Sequence, residues 1–425
     1  VSVVNMLVKP QRTLAETALI DAFGERLSQM PGNGAVSIKR DDAIEMVKAG
    51  LPTRRVEFWH YTDLRRLLTS VPSHDPSARA SQIAPVIEGS TVLAVLNGIA
   101  SDKAGKAEGV SVVRVEDKLA DGTLAPSLGL RDDDDAVGAI NTAFAADGYF
   151  VDIAAGVALE NPIELQNLHA GGQAHVRLPV RVGAGARATI VERQTGRGAA
   201  LVSSVSNLQI GDGAEVRWLI VQDQPDGVTH LGQFNAELGK AAKLTLFVMN
   251  AGGSLVRQEI HVRAAGEGSV FTLRGVNLLS GSAHTDVTMV LDHAVPETSS
   301  TEVIRNVVTG SARGVFQGRI NVHQYAQKTD AKMACNTLLL SDDAEFAAKP
   351  ELEIFADDVQ CGHGATVTEI DQNHLFYLMA RGIDEKTARG LLVKAFIAEI
   401  IEELDDEPIV AALEAIVDEW FAEHG

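Results

Sequence analysis

Four times between residues 182 and 273, a glycine-containing turn opens a run of alternating apolar and polar residues. Val182-Gly183-Ala184-Gly185-Ala186-Arg187-Ala188-Thr189-Ile190 returns as Ile210-Gly211-Asp212-Gly213-Ala214-Glu215-Val216-Arg217-Trp218. It returns more loosely as Leu238-Gly239-Lys240-Ala241-Ala242-Lys243-Leu244-Thr245-Leu246 and Ala265-Gly266-Glu267-Gly268-Ser269-Val270-Phe271-Thr272-Leu273. The first glycines, at 183, 211, 239 and 266, are spaced by 28, 28 and 27 residues. Each copy reads as a strand entered through a tight bend, and no segment of helical period separates the copies. Strands at a fixed period without intervening helices imply a β-solenoid, in which each coil buries its apolar face against the next. An antiparallel sandwich with regular spacing is the alternative. The spacing leaves open whether one period is a whole coil or part of one. A solenoid also lets a single core run the length of a 425-residue chain, which would otherwise divide into two or three domains.

Both flanks of the repeat read as helical. Near the start, Thr13 and Glu16 form a T-x-x-E capping box, Leu19, Ile20, Phe23, Leu27 and Met30 fall at helical spacing, and Pro31-Gly32 ends the run. A second helix is expected from Asp41 to Gly50, and a third after the aromatic cluster Trp59-His60-Tyr61. Residues 70–90, rich in Ser, Pro and His, suit a linker. Past residue 365, Asp371 and Asp384 are placed to cap two helices, the second running to about Leu404, and Pro408 precedes a last one. Leu391, Leu392, Phe396 and Ile400 belong to a helix that is apolar nearly all round, so the solenoid flank or a partner protein must cover it. The expected division is a helical domain with linker over 1–90, a β-helix core with its lead-in over 91–365, and a helical domain over 366–425.

Composition removes several functions. A net charge of −20 argues against nucleic-acid binding, which needs clustered Lys and Arg. No stretch approaches the ~18 apolar residues of a membrane helix, and the first 20 residues lack an apolar signal core, so a cytoplasmic protein is expected. The sequence opens on Val1 rather than Met, which suggests that its first residues are not those of the natural start. There is no P-loop, no G-x-S-x-G elbow and no H-E-x-x-H pair. The twelve histidines are scattered, and His284, His293 and His323 would need the fold to gather them.

The candidate chemistry lies at Cys361-Gly362-His363. In an extended segment, residues i and i+2 face the same side, so a thiol and an imidazole are presented together. Both are ligands suited to Fe, Zn or Cu. The plain alternative is a cysteine that merely fills space. Glu351, Glu353, Asp357, Asp358, Glu369 and Asp371 surround the pair, either as oxygen ligands or as a solvated strand face and helix caps. The chain has only two cysteines, Cys335 and Cys361, whereas an iron-sulfur cluster usually takes four thiolates. Any cluster chemistry here would need a second subunit.

The stretch from Pro350-Glu351-Leu352-Glu353-Ile354-Phe355 through Cys361-Gly362-His363-Gly364-Ala365-Thr366-Val367 closely resembles the signature of the SufB/SufD family of iron-sulfur cluster assembly scaffolds. Arg305-Asn306, Gly314-Val315-Phe316-Gln317-Gly318-Arg319-Ile320, Ala326-Gln327-Lys328-Thr329-Asp330-Ala331 and Leu375-Phe376-Tyr377-Leu378 extend the likeness over residues 300–404, and Gly156 to Leu165 extends it more weakly. The chain length, the block Gly50-Leu51-Pro52-Thr53-Arg54-Arg55 with Trp59-His60-Tyr61-Thr62-Asp63-Leu64, and the few cysteines resemble the SufD side of the family more than the SufB side. The resemblance implies a right-handed parallel β-helix between helical terminal domains, acting as a non-catalytic scaffold. It implies pairing with SufB through the β-helix end and binding of SufC, an ABC-type ATPase, through the C-terminal helices, where Leu391, Leu392, Phe396 and Ile400 would dock. A homodimer when isolated is left open. His363, with Cys361, would join a nascent-cluster site shared with SufB, so that iron or a transient cluster is held between subunits and none by this chain alone. Gly362 stands where the family often carries Ser or Thr. A SufB-like paralogue, a purely structural adaptor and a carbohydrate-active β-helix enzyme with paired carboxylates are the other readings.

Overall fold

The structure, a computed structural model, describes residues 11–424. The chain start, and with it half of the segment searched for a signal core, lies outside the described residues. Alternation of apolar and polar residues builds two facing sheets of ten and nine strands. From Ile163 onward the chain passes from one sheet to the other and back, so strands two apart in sequence pair in parallel, giving a solenoid of about eight coils. Arg187 pairs in register with Glu215, Glu215 with Lys243 and Lys243 with Val270. One glycine period is therefore one full coil of two strands, and the expected parallel solenoid, not a sandwich, is the fold. Gly185 and Gly213 adopt φ of +66° and +64°, the left-handed bend that L side chains resist.

The inward positions pack as one continuous core along the axis. Trp218, Leu246 and Leu273 stack coil upon coil in the first sheet and face Phe234, Ile260 and Met289 of the second. A corner of the solenoid carries a ladder of asparagines, Asn250 to Asn277 and Asn277 to Asn306, each at 2.7 Å. Such a ladder gives each buried amide a partner one coil away.

The two outer faces are covered by different ends of the chain. Helices Leu14–Arg26 and Gly34–Ala49, with the buried helix Ala136–Phe144, pack over Leu201, Leu231 and Leu255 of the second sheet. The capping box forms as expected, with Glu16 N–H donating to Thr13 Oγ1 at 3.1 Å. The second helix starts seven residues earlier than expected: Asn33 accepts from Ala35 and Val36 N–H and caps it, so Asn33-Gly34 is a helix start and not the tail of a loop. From this helix, Arg40 donates to the carbonyl oxygens of Thr142, Ala143 and Ala145 at 2.9–3.1 Å, closing the end of the buried helix. Trp59 lies over Arg257, which is itself buried between Glu259 and Asp286. Helices Glu385–Glu402 and Glu407–His424 cover the outer face of the first sheet through Leu219, Val221, Phe247 and Met249.

The ends of the solenoid are unlike each other. At the start, the two-residue strand Ile99–Ala100 and the strand Val110–Arg114 pair antiparallel and turn the sheets back on themselves. At the finish, Glu345–Ile354 and Gln360–Thr368 are the last strands of their sheets, and no strand among the described residues pairs with their outer edges.

Candidate functional site

The strand Gln360–Thr368 carries Cys361 and His363 onto that unpaired end. Cys361 is in register with Ala331 and, below it, Ser300; His363 is in register with Met333 and, below it, Glu302. These columns continue down to Phe271 and Leu273 of the core, so both residues occupy inward positions of the last coil. With no further coil to cover them, His363 is exposed and Cys361 is half-buried against the core. They share an open groove of about 660 Å³ with Arg274, Glu302 and Met333. His363 has no hydrogen-bond partner among the described residues, which leaves its imidazole free toward whatever lies opposite. Burial raises the Cys361 thiol above its ordinary pKa, so it is held mainly as the thiol near neutrality.

Cys335 takes no part. It is fully buried, burial pushes its thiol up to about 12, and Asn306 Nδ2 lies 3.4 Å from its Sγ. The chain therefore presents a single accessible thiol. The acidic residues around the pair do not close on it: Glu351 and Glu353 are bound to Arg319, and Asp371 caps the helix Gln372–Met379 through Asn373 and His374 N–H. Among the described residues no group of three His, Cys, Asp or Glu is arranged to hold a metal. His284, His293 and His323 are not gathered either: His284 meets Thr62, His293 is buried against Thr298 and Ser300, and His323 lies 3.6 Å from Asp292.

Residues 165–396, more than half of the chain, match the family described as SUF system FeS cluster assembly, SufBD core domain. The chain belongs to the SufBD family. It is 27% identical over 386 residues to the iron-sulfur cluster assembly protein SufD of Escherichia coli, covering 85% of this chain and 88% of that one. It is 29% identical over 378 residues to a SufBD family protein of Mycobacterium leprae, covering 86% and 90% of the two chains. A SufBD family protein of Mycobacterium tuberculosis is 29% identical over 364 residues, covering 83% and 85%. Within the SufBD family the chain is SufD-like, and these relatives are named as assembly proteins.

The expected docking residues of this SufBD chain do not share one surface. Ile400 is fully buried against the solenoid flank, Leu392 and Phe396 are half-buried there, and Arg305 lies over the Phe396 ring at 4.6 Å. Only Leu391, 47% exposed, faces outward. The flank thus covers most of the helix, with salt bridges from Arg274 to Glu403 and from Arg305 to Glu399 holding it in place. Exposed apolar surface sits instead on the preceding helix Gln372–Met379, where Phe376 is 72% and Tyr377 57% exposed. The signal was present: Leu375 and Leu378, three apart, define the packed side of that helix and leave Phe376 and Tyr377 off it.

Proposed function

We propose that this chain is a non-catalytic scaffold subunit of iron-sulfur cluster assembly that works only in partnership. It pairs with a SufB-type subunit through the bare end of the solenoid and binds a SufC-type ATPase through its C-terminal helices. His363, with Cys361 beside it, serves a nascent-cluster site shared across the first of these contacts, in the cytoplasm. The observation that carries the reading is the position of Cys361 and His363 at inward sites of an uncovered last coil, on a chain whose other thiol is sealed in the core. Such a pair offers one imidazole and one thiol, too few ligands for a cluster, and the remainder must come from the facing subunit. Phe376, Tyr377 and Leu391 support the ATPase contact as exposed apolar side chains on adjacent helices.

Co-expression with SufB- and SufC-type partners tests this. His363→Ala should leave the complex intact on size-exclusion chromatography and lower cluster formation in reconstitution. Undiminished cluster yield would remove the site and favour the structural-adaptor reading. Recovery of the chain alone, with no ATPase bound after co-expression, would remove the partner claim.

A further inference from the structure

Glu302 sits two coils below the bare end, in the strand Ser299–Val308, directly beneath Met333 and His363 in register. It is fully buried, and neither carboxylate oxygen has a hydrogen-bond partner among the described residues. The polar groups near it are engaged elsewhere. The Ser300 hydroxyl meets His293 Nε2 at 3.2 Å, and Arg274 binds Glu403 together with the carbonyl oxygens of Leu273 and Thr301. Lower in the same column the inward residues are Leu273, Leu246 and Trp218, so packing alone would place an apolar side chain here. A buried acid is costly, and burial pushes this one up to about 8 although the Ser300 hydroxyl and the Arg274 guanidinium pull the other way. Yet Glu302 lines the same groove as Cys361 and His363. Small Ala331, between Ser300 and Cys361 in the neighbouring column, leaves little bulk between the carboxyl and the thiol.

We propose that Glu302 is the counter-charge of this groove: its carboxylate balances a divalent cation held at the last coil by His363 and Cys361, and so raises the groove's affinity for such a cation. The inference rests on the reading of Cys361 and His363 as cation-facing. Glu302 is a positioning residue that acts through the electric field and not as a ligand, in keeping with the lack of a convergent three-residue metal cluster among the described residues. Across two coils, roughly 10 Å, and at an effective dielectric near 20, a carboxylate still couples to a divalent ion by more than about ten-fold in affinity, partly offset by the cost of ionising the acid.

Cobalt(II) is the probe, added to the full chain and to the chain co-purified with a SufB-type partner, with visible ligand-field absorption reporting occupancy. Glu302→Gln, which keeps the shape and removes the charge, should weaken Co²⁺ binding about ten-fold, while the melting temperature stays the same or rises. Glu302→Asp should restore binding to within about three-fold, and the effect of the charge should persist in high salt because a buried pair is poorly screened. If Glu302→Gln binds Co²⁺ like the unaltered chain while His363→Ala does not, the counter-charge is wrong and the groove reading survives. If the unaltered chain and its complex bind no Co²⁺, or His363→Ala leaves binding unchanged, the groove reading falls and this inference falls with it.

Discussion

The solenoid holds two interior acids that the same fold treats in opposite ways. Glu192, in the strand Arg187–Gly196, accepts hydrogen bonds from Ser204 Oγ at 2.9 Å, from Ser206 Oγ at 2.7 Å and from Gln194 Nε2. The two serines come from the facing strand Ala200–Ile210. Glu302, nearer the finish, has no such donors. Burial raises the pKa of both, but only Glu192 has side-chain donors opposing that rise from the facing sheet. Glu192, in the middle of the solenoid, is thus satisfied from the facing strand, and Glu302, near the finish, is not. Apolar packing differs likewise: Trp218 is fully buried, while Phe346 on the last strand of the second sheet is only half-buried. Each middle coil is covered by its neighbours, whereas the last coil has no strand on its outer edge among the described residues.

The contrast can be broken by measurement. Trp218→Ala should cost about 3–5 kcal/mol in denaturant unfolding, the usual loss for a large buried aromatic. Phe346→Ala in the isolated chain should cost roughly 1 kcal/mol, since the side chain is already part-exposed; equal losses would erase the difference between middle and end. The next largest effect concerns Glu302. Its folded-state pKa of about 8 lies above the ordinary 4.5, so between those values the folded chain keeps a proton that the unfolded chain has lost. Stability therefore falls as pH rises through that window and levels off above about 8. Glu302→Gln removes this slope, and its advantage over the unaltered chain should be near zero at pH ~4 and grow to on the order of 2–4 kcal/mol by pH ~8. A parallel pair of pH–stability curves would contradict it. Glu192→Gln should have the opposite sign, losing about 1 kcal/mol because an amide nitrogen replaces an acceptor facing the serine donors. The smallest effect is at Gly362, where an added Cβ meets nothing within 4 Å. Gly362→Thr should stabilise the last strand by up to about 1 kcal/mol through strand propensity alone, with hydrogen exchange of the Gln360–Thr368 amides slowed.

The solenoid was legible because its repeat glycines at 183, 211, 239 and 266 lie where an added Cβ would come within 3 Å of the preceding coil, which holds them to the period. That one period makes a whole coil was not, since spacing does not count the strands inside it. The helix at Gly34 was hidden by its own cap, as Asn33-Gly34 following Pro31-Gly32 carries the chemistry of a turn. Cys361 and His363 were legible as a same-face pair, and only the register shows that this face points inward. Ile400 was assigned to partner docking, because apolar periodicity does not say which stripe the flank takes, and it lies buried in that flank. Glu302 went unread, although the repeat reaches it. Trp218, Leu246 and Leu273 each stand seven residues after a repeat glycine, and Glu302 stands seven after Val295, where the glycine has been lost. A charged residue in an inward slot of a weakening repeat is the signal that would have found it.

The antiparallel strands Ile99–Ala100 and Val110–Arg114 make the start of the solenoid unlike its finish. A solenoid bare at both ends could stack head to tail without limit, as unpaired sheet edges do in fibres. Here the start presents antiparallel strands and the finish parallel ones, so among the described residues the two ends do not repeat one another and endless head-to-tail stacking of identical coils is disfavoured.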